Sequence, residues 1–284
     1  MRAQVVLTTV ESKKLIAKGI LQMEKVKKAL KDGLVAIHPS STTYFIKEEL
    51  DCPLPSKVWV CGWILPKGTC GSGQVLEHYK KEGRWKDILD FPHTWVFKKG
   101  QIQTGMKLGE IIQQMDVDDV YIKTGNALDP QGNVGVLLGR QDGGTISRVV
   151  GAARGRGFEI ILGIGLEKLI PVSIREASKE AGAKRMDYAM GIPVGLIPID
   201  GTTVTEIQAI RMLTGADAIP IAAGGLGGAE GSLSLIIKGE EEEVRKGIDL
   251  VKSVKGAKLP DLNIFECSEC AHPTCHLGGQ VYKV

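Results

Sequence analysis

At 284 residues, 43% of them hydrophobic and 24% charged, the chain has ordinary globular composition and the length of two compact units. Its 36 basic and 33 acidic residues leave a net charge of +3, too balanced for the basic stripe that a nucleic-acid partner would demand. There is no run of about 18 uncharged apolar residues to span a membrane, Glu11 comes too early for a signal peptide, and six cysteines are too few for a disulfide scaffold, so a cytoplasmic protein with reduced thiols is expected.

In chain order, residues 4–8 read as a strand and 11–31 as a helix, with Leu15, Ile16, Ile20, Leu21, Met23, Val26 and Leu30 near helical spacing and Asp32-Gly33 as its stop. Residues 34–37 form a short apolar strand, 38–43 a polar loop and 44–50 a helix. A strand over 57–65, a polar helix over 74–89, a short helix over 106–115 and a strand over 120–123 follow. Then come a strand over 158–163 and a helix over 173–181. Short buried strands alternating with helices predict an α/β fold: an open, mostly parallel Rossmann-like sheet over residues 1–190 with helices on both faces. Ligands of such sheets sit where strands end at their carboxyl side, which directs attention to the loops after 37, 123 and 163.

From residue 194 the order is strand, helix, strand, glycine-rich turn, strand, helix, with a last strand at 263–265. That order predicts a ferredoxin-like unit over 191–258, followed by a Cys/His tail over 259–284.

Two loops of the first unit carry the residue types that hold anions. Ser40, Ser41, Thr42 and Thr43 lie between a strand and a helix, where hydroxyls and helix N–H groups favour phosphate or carboxylate; equally, they are good helix N-caps. After residue 123 the chain reads TGNALDPQGN. Gly125 permits close backbone approach, and Asn126 and Asp129 present polar groups above the strand end. Asp129 is the carboxylate placed to act as a base, with a plain turn aspartate as the alternative. Gly143, Gly144 and Thr145 open a helix and form a second anion cradle. A further glycine-rich loop at 222–231 is either an anion-binding concavity or a hairpin between strands.

Taken together, the hydroxyl loop, the GNALDPQGN segment, the Gly-Gly pair opening a helix and the later apolar strand followed by EKL resemble the superfamily of ribose-5-phosphate isomerase, glucosamine-6-phosphate deaminase, sugar-phosphate-sensing regulators and CoA-transferases. The resemblance spans residues 31–171. It implies that Ser40–Thr43 and Gly143-Gly144 meet the phosphate or pantetheine of a small anionic metabolite. It further implies that Gly125, Asn126 and Asp129 touch the substrate, and that Lys168 acts as electrophile or anion clamp. The isomerases carry an acidic residue where Asn126 stands, and a Lys and a Glu around the Gly-rich loop where this chain has Arg140, Gln141 and Arg148. An isomerase- or transferase-type enzyme and a non-catalytic metabolite sensor therefore both stand as expectations, with a homo-oligomer built through the second unit and no nucleic acid or membrane as partner.

The tail reads FECSECAHPTCHLGG. Cys267, Cys270, His272 and Cys275 supply four ligands within ten residues, pointing to zinc or, alternatively, an iron–sulfur cluster; a redox dithiol is the third reading. Cys61 is expected as a small core residue, Cys70 in an exposed glycine loop, and His78 and His93 as isolated surface or structural residues.

Overall fold

The computed structural model describes residues 1–54, 56–82, 93–264, 266–270 and 275. The chain opens with strand β1 (Arg2–Leu7) and helix α1 (Thr9–Gln22). A capping box sets that junction: the Glu11 N–H donates to the Thr8 hydroxyl and the Thr8 N–H to the Glu11 carboxylate. The helix expected over 11–31 is in fact two, because Met23 is extended (φ −62°, ψ 128°) and α2 (Glu24–Asp32) sets off anew. No proline or glycine stands at the break. Tertiary packing decides it: α1 buries Leu15, Ile16 and Ile20, whereas α2 turns Val26 and Ala29 onto strand β2 (Leu34–Ile37).

Helix α3 (Tyr44–Glu49) follows, then a hairpin of β3 (Gly62–Leu65) and β4 (Gly68–Gly71). The strand expected over 57–65 is thus half a strand. Val58, Trp59 and Val60 are buried without a ladder, since apolarity signals burial and not hydrogen bonding. Next come α4 (Gly73–Glu82), β5 (Trp95–Lys98), β6 (Gln101–Gln103), α5 (Leu108–Gln114), β7 (Val120–Thr124), β8 (Ala127–Leu128), β9 (Val134–Leu138), α6 (Gly144–Arg156), β10 (Glu159–Gly163) and α7 (Ile174–Glu180). The helix expected over 74–89 runs past residue 82 into residues outside the described set. The chain closes with β11 (Gly195–Ile199), β12 (Thr202–Val204), α8 (Glu206–Thr214), β13 (Asp217–Gly224), β14 (Ser232–Lys238) and α9 (Glu241–Val254).

The main sheet has six strands in the order β12-β10-β7-β2-β5-β6. Its first four strands are parallel, and β5 and β6 add antiparallel, giving a mixed α/β architecture. Strand β7 shows why its sequence is apolar throughout. Val120 and Ile122 pack into one core, Tyr121 into the other, so both faces are covered. The registers Ile37↔Ile122, Thr124↔Gly163 and Ile37↔Trp95 bring the ends of β2, β7 and β10 and the start of β5 to one edge.

The strands expected to make a ferredoxin-like unit over 191–258 go to two different sheets. β11 pairs with β9, whereas β14 pairs on one side with β1 from the N-terminus, in the register Arg2↔Lys238, and on the other with β13; β12, at residues not expected as a strand, pairs with β10. Local patterning marks β11, β13 and β14 as strands but does not name a partner two hundred residues away. Asn263 and Ile264 are in no strand, and Phe265 lies outside the described residues. Among the described residues, no helix is long and apolar enough to cross a membrane.

Candidate functional site

A cleft of about 500 Å³ opens at the edge where β2 and β7 end. Four polar side chains from distant parts of the sequence meet in its lining. His38 follows β2 directly, its N–H donating to Ile122 at 2.9 Å as a continuation of the ladder. Strand β5 runs the opposite way, so His93, just before it, arrives at the same edge. Lys123 belongs to β7, and Cys61 stands at the foot of the β3–β4 hairpin. Trp63, Val136, Leu138 and Ile192 form apolar walls, and Arg140 and Gly143–Thr145 stand at the start of α6.

His38, Cys61 and His93 each present a ligand atom within 4.8 Å of the other two, so this cluster can hold a metal ion. A tetrahedral zinc with nitrogen at about 2.0–2.1 Å and sulfur at about 2.3 Å sets its ligand atoms roughly 3.3–3.8 Å apart, inside that span. The two imidazoles meet edge-on, with ring centroids 5.2 Å apart. The Tyr121 hydroxyl lies 3.4 Å from His38 Nδ1 and orients that ring. Burial, helped by Lys123 and His93, holds His38 well below the usual histidine range, so it is a neutral donor at physiological pH. Its low-polarity surroundings push the Cys61 thiol up to about 12, with Lys123 pulling the other way. Burial likewise brings Lys123 down to about 8, against the influence of Cys61. A 2+ ion would reverse the thiol's preference, releasing its proton on binding.

The residues singled out in the sequence divide. Ser40, Asn126, Gly143, Gly144 and Thr145 line the cleft. Ser41, Thr42 and Thr43 are not among the lining residues. Instead the Thr43 hydroxyl donates to the His38 carbonyl at 2.8 Å and lies 2.9 Å from the Ser40 hydroxyl, which locks the turn. Gly125 is a packing glycine, since a Cβ there would come 2.3 Å from Val134 Cγ1, and its carbonyl accepts from Lys168 Nζ at 2.9 Å. Lys168, brought down to about 8 chiefly by burial, is not a lining residue.

Asp129 also lies outside the cleft lining. Its buried carboxylate accepts from the N–H groups of Gln131, Asn133 and Ile174 and from the Asn133 amide, fastening the 129–133 turn to α7. Burial alone would raise its pKa, but these bonds outweigh burial and hold it below the usual carboxylate range. These bonds make the carboxylate an anchor of the turn. Asn126 fixes the loop through its side-chain oxygen, which accepts from Leu137 N–H at 3.0 Å.

In the tail, Cys267, Cys270 and Cys275 line one small cavity, and His272 lies outside the described residues. His93, expected to be isolated, is 1% exposed and belongs to the cluster. Neither it nor Cys61 was legible as a ligand, because the three stand 23 to 55 positions apart and no motif spaces them. One sequence signal was available: His38 stands directly after a strand whose end was expected to face ligands. The chain matches no family model, no curated protein and no solved structure, so the site rests on its own geometry.

Proposed function

We propose that the protein is a metal-dependent enzyme that acts on a CoA-linked or phosphorylated small metabolite held in this cleft. One observation carries the proposal: at the carboxyl ends of parallel strands, His38, Cys61 and His93 converge beside Lys123 in a cleft with room for such a ligand. The reading of the main sheet as Rossmann-like belongs to the same proposal, supported by its four parallel strands.

Zinc is the ion that best fits two neutral imidazoles and one thiolate with a position left open; when bound it polarises a carbonyl or an attacking water. The chain's own residues do the rest. Lys123, close to neutrality at about 8, can hold or give up a proton on the ligand. The Ser40 hydroxyl and the start of α6 offer donors to an anionic group. Trp63, Val136, Leu138 and Ile192 exclude water and favour an acyl or pantetheine arm over a bare polyhydroxy sugar. A second reading, a non-catalytic sensor, is favoured by one observation. Asp142 is the one carboxylate lining the cleft among the described residues, and it is engaged by Arg140 at 2.6 Å.

The test is zinc content together with thermal shift against acyl-CoAs and sugar phosphates. We expect about one zinc lost in His93→Ala, and a shift with acyl-CoA that weakens tenfold or more in Lys123→Met. Turnover that disappears in His93→Ala would remove the sensor. Zinc-loaded protein that shifts with neither class of compound would remove the proposal.

A further inference from the structure

The β3–β4 hairpin borders a second, smaller cavity. Four of its lining residues are cysteines: Cys70 from β4, Cys267 and Cys270 bracketing a short 3₁₀ turn, and Cys275. Four of the chain's six cysteines thus gather from positions almost two hundred residues apart. The remaining walls include Leu65, Leu76, Ile192 and Ile264.

One backbone contact binds the tail to this place, and a second shapes the tail itself. The Gly73 N–H, three residues past Cys70, donates to the Asn263 carbonyl at 2.8 Å. Only glycine fits there, since a Cβ would lie 2.4 Å from Asn263 Oδ1. The Cys270 N–H donates to the Cys267 carbonyl at 3.3 Å, closing a tight C-x-x-C turn, the kind of spacing that lets two thiolates hold one metal. The thiols also feel one another: besides burial, Cys275, Cys267 and Cys270 all push the Cys70 thiol up, with Lys67 opposing.

We infer that Cys70, Cys267, Cys270 and Cys275 form a tetrathiolate metal centre, in which the hairpin supplies the ligand that the tail's three cysteines lack. This assigns the fourth position to Cys70 in place of His272, and it does so within one chain. Four thiolates suit zinc or a [4Fe–4S] cluster. Among the described residues the four sulfurs do not all lie within 4.8 Å of one another, whereas the sulfurs of a single zinc stand roughly 3.8 Å apart.

The inference stands independently of the cleft, and its test keeps the two apart. Anaerobically purified Cys61→Ser protein, which lacks one ligand of the cleft cluster, is analysed for zinc, iron and acid-labile sulfide. We expect one centre per chain: iron with equal sulfide for a cluster, or one zinc. Adding Cys70→Ser abolishes it, whereas Cys52→Ser, outside both cysteine groups, leaves it. Because Cys70→Ser can unfold the hairpin, native wild-type protein is also alkylated and mapped by mass spectrometry. Cys70, Cys267, Cys270 and Cys275 should be protected together and become reactive together when the metal is stripped. Metal-free protein, metal retained in Cys70→Ser, or a Cys70 that alkylates while the tail cysteines stay protected would each overturn the inference.

Discussion

At the scale of single residues, Glu206 carries a pH dependence that folding imposes on it. It is fully buried at the start of α8, and both its oxygens accept from the Leu166 N–H, at 3.0 and 3.3 Å. Burial, with Glu167 adding to it, pushes its carboxyl from 4.5 up to about 7. A carboxyl raised in the folded state favours folding when protonated. Its contribution is therefore complete below about 4.5 and is lost as pH rises through about 7. Glu206→Gln keeps an oxygen for Leu166 and removes the charge. Denaturant melts should show equal stability for variant and wild type near pH 4.5 and an advantage for the variant at pH 8 of up to about 3 kcal/mol; a variant less stable at pH 8 would show that the charge is needed there. Residues of this kind are poorly legible in sequence. Asp129 had the residue type and loop of a base, yet its acceptor sites are filled by turn N–H groups. His38, Cys61 and His93 had no motif at all, and only the antiparallel entry of β5 places the second histidine beside the first.

Elements were more legible than their partners. The strands β2, β7 and β10 and the opening of α6 at Gly143-Gly144 follow from apolar runs and glycine punctuation. The break at Met23 does not, because packing and not residue type causes it. The start of α6 gives a sharp test of the glycine reading. Gly143 has φ +79°, and a Cβ there would sit 2.1 Å from Ser147 Oγ, whose hydroxyl donates to the Gly143 carbonyl. Gly143→Ala should cost about 1–2 kcal/mol from the left-handed backbone alone. That lowers Tm by at least about 2–4 °C and disturbs the cleft at the same time. Gly151→Ala, in the same helix with nothing within 4 Å of the added carbon, should instead gain about 0.5–1 kcal/mol. Calorimetry on the pair separates backbone strain from helix propensity: equal effects of one sign would rule out the strain.

For the molecule as a whole, the core crosses the sequence boundary expected near residue 190. Leu7, Leu15, Ile16 and Ile20 share one cluster with Ile210, Leu235, Ile237 and Val244, and β1 is hydrogen-bonded along its length to β14. A fragment ending at residue 190 leaves β1 without its neighbour and the α1 face uncovered. It should lose cooperative unfolding and bind a hydrophobic dye, while the full chain melts in one transition; a soluble, cooperatively melting fragment would show that the first part needs no cover from the second. The hairpin has the opposite significance, since it belongs to two cavities at once. Trp63, Cys70, Gly71, Leu76 and Ile192 line both the cleft and the cysteine cavity. A wall held in common makes the two occupancies a thermodynamic cycle. Whatever factor a filled cysteine cavity confers on affinity in the cleft, a filled cleft must return to the cysteine cavity unchanged.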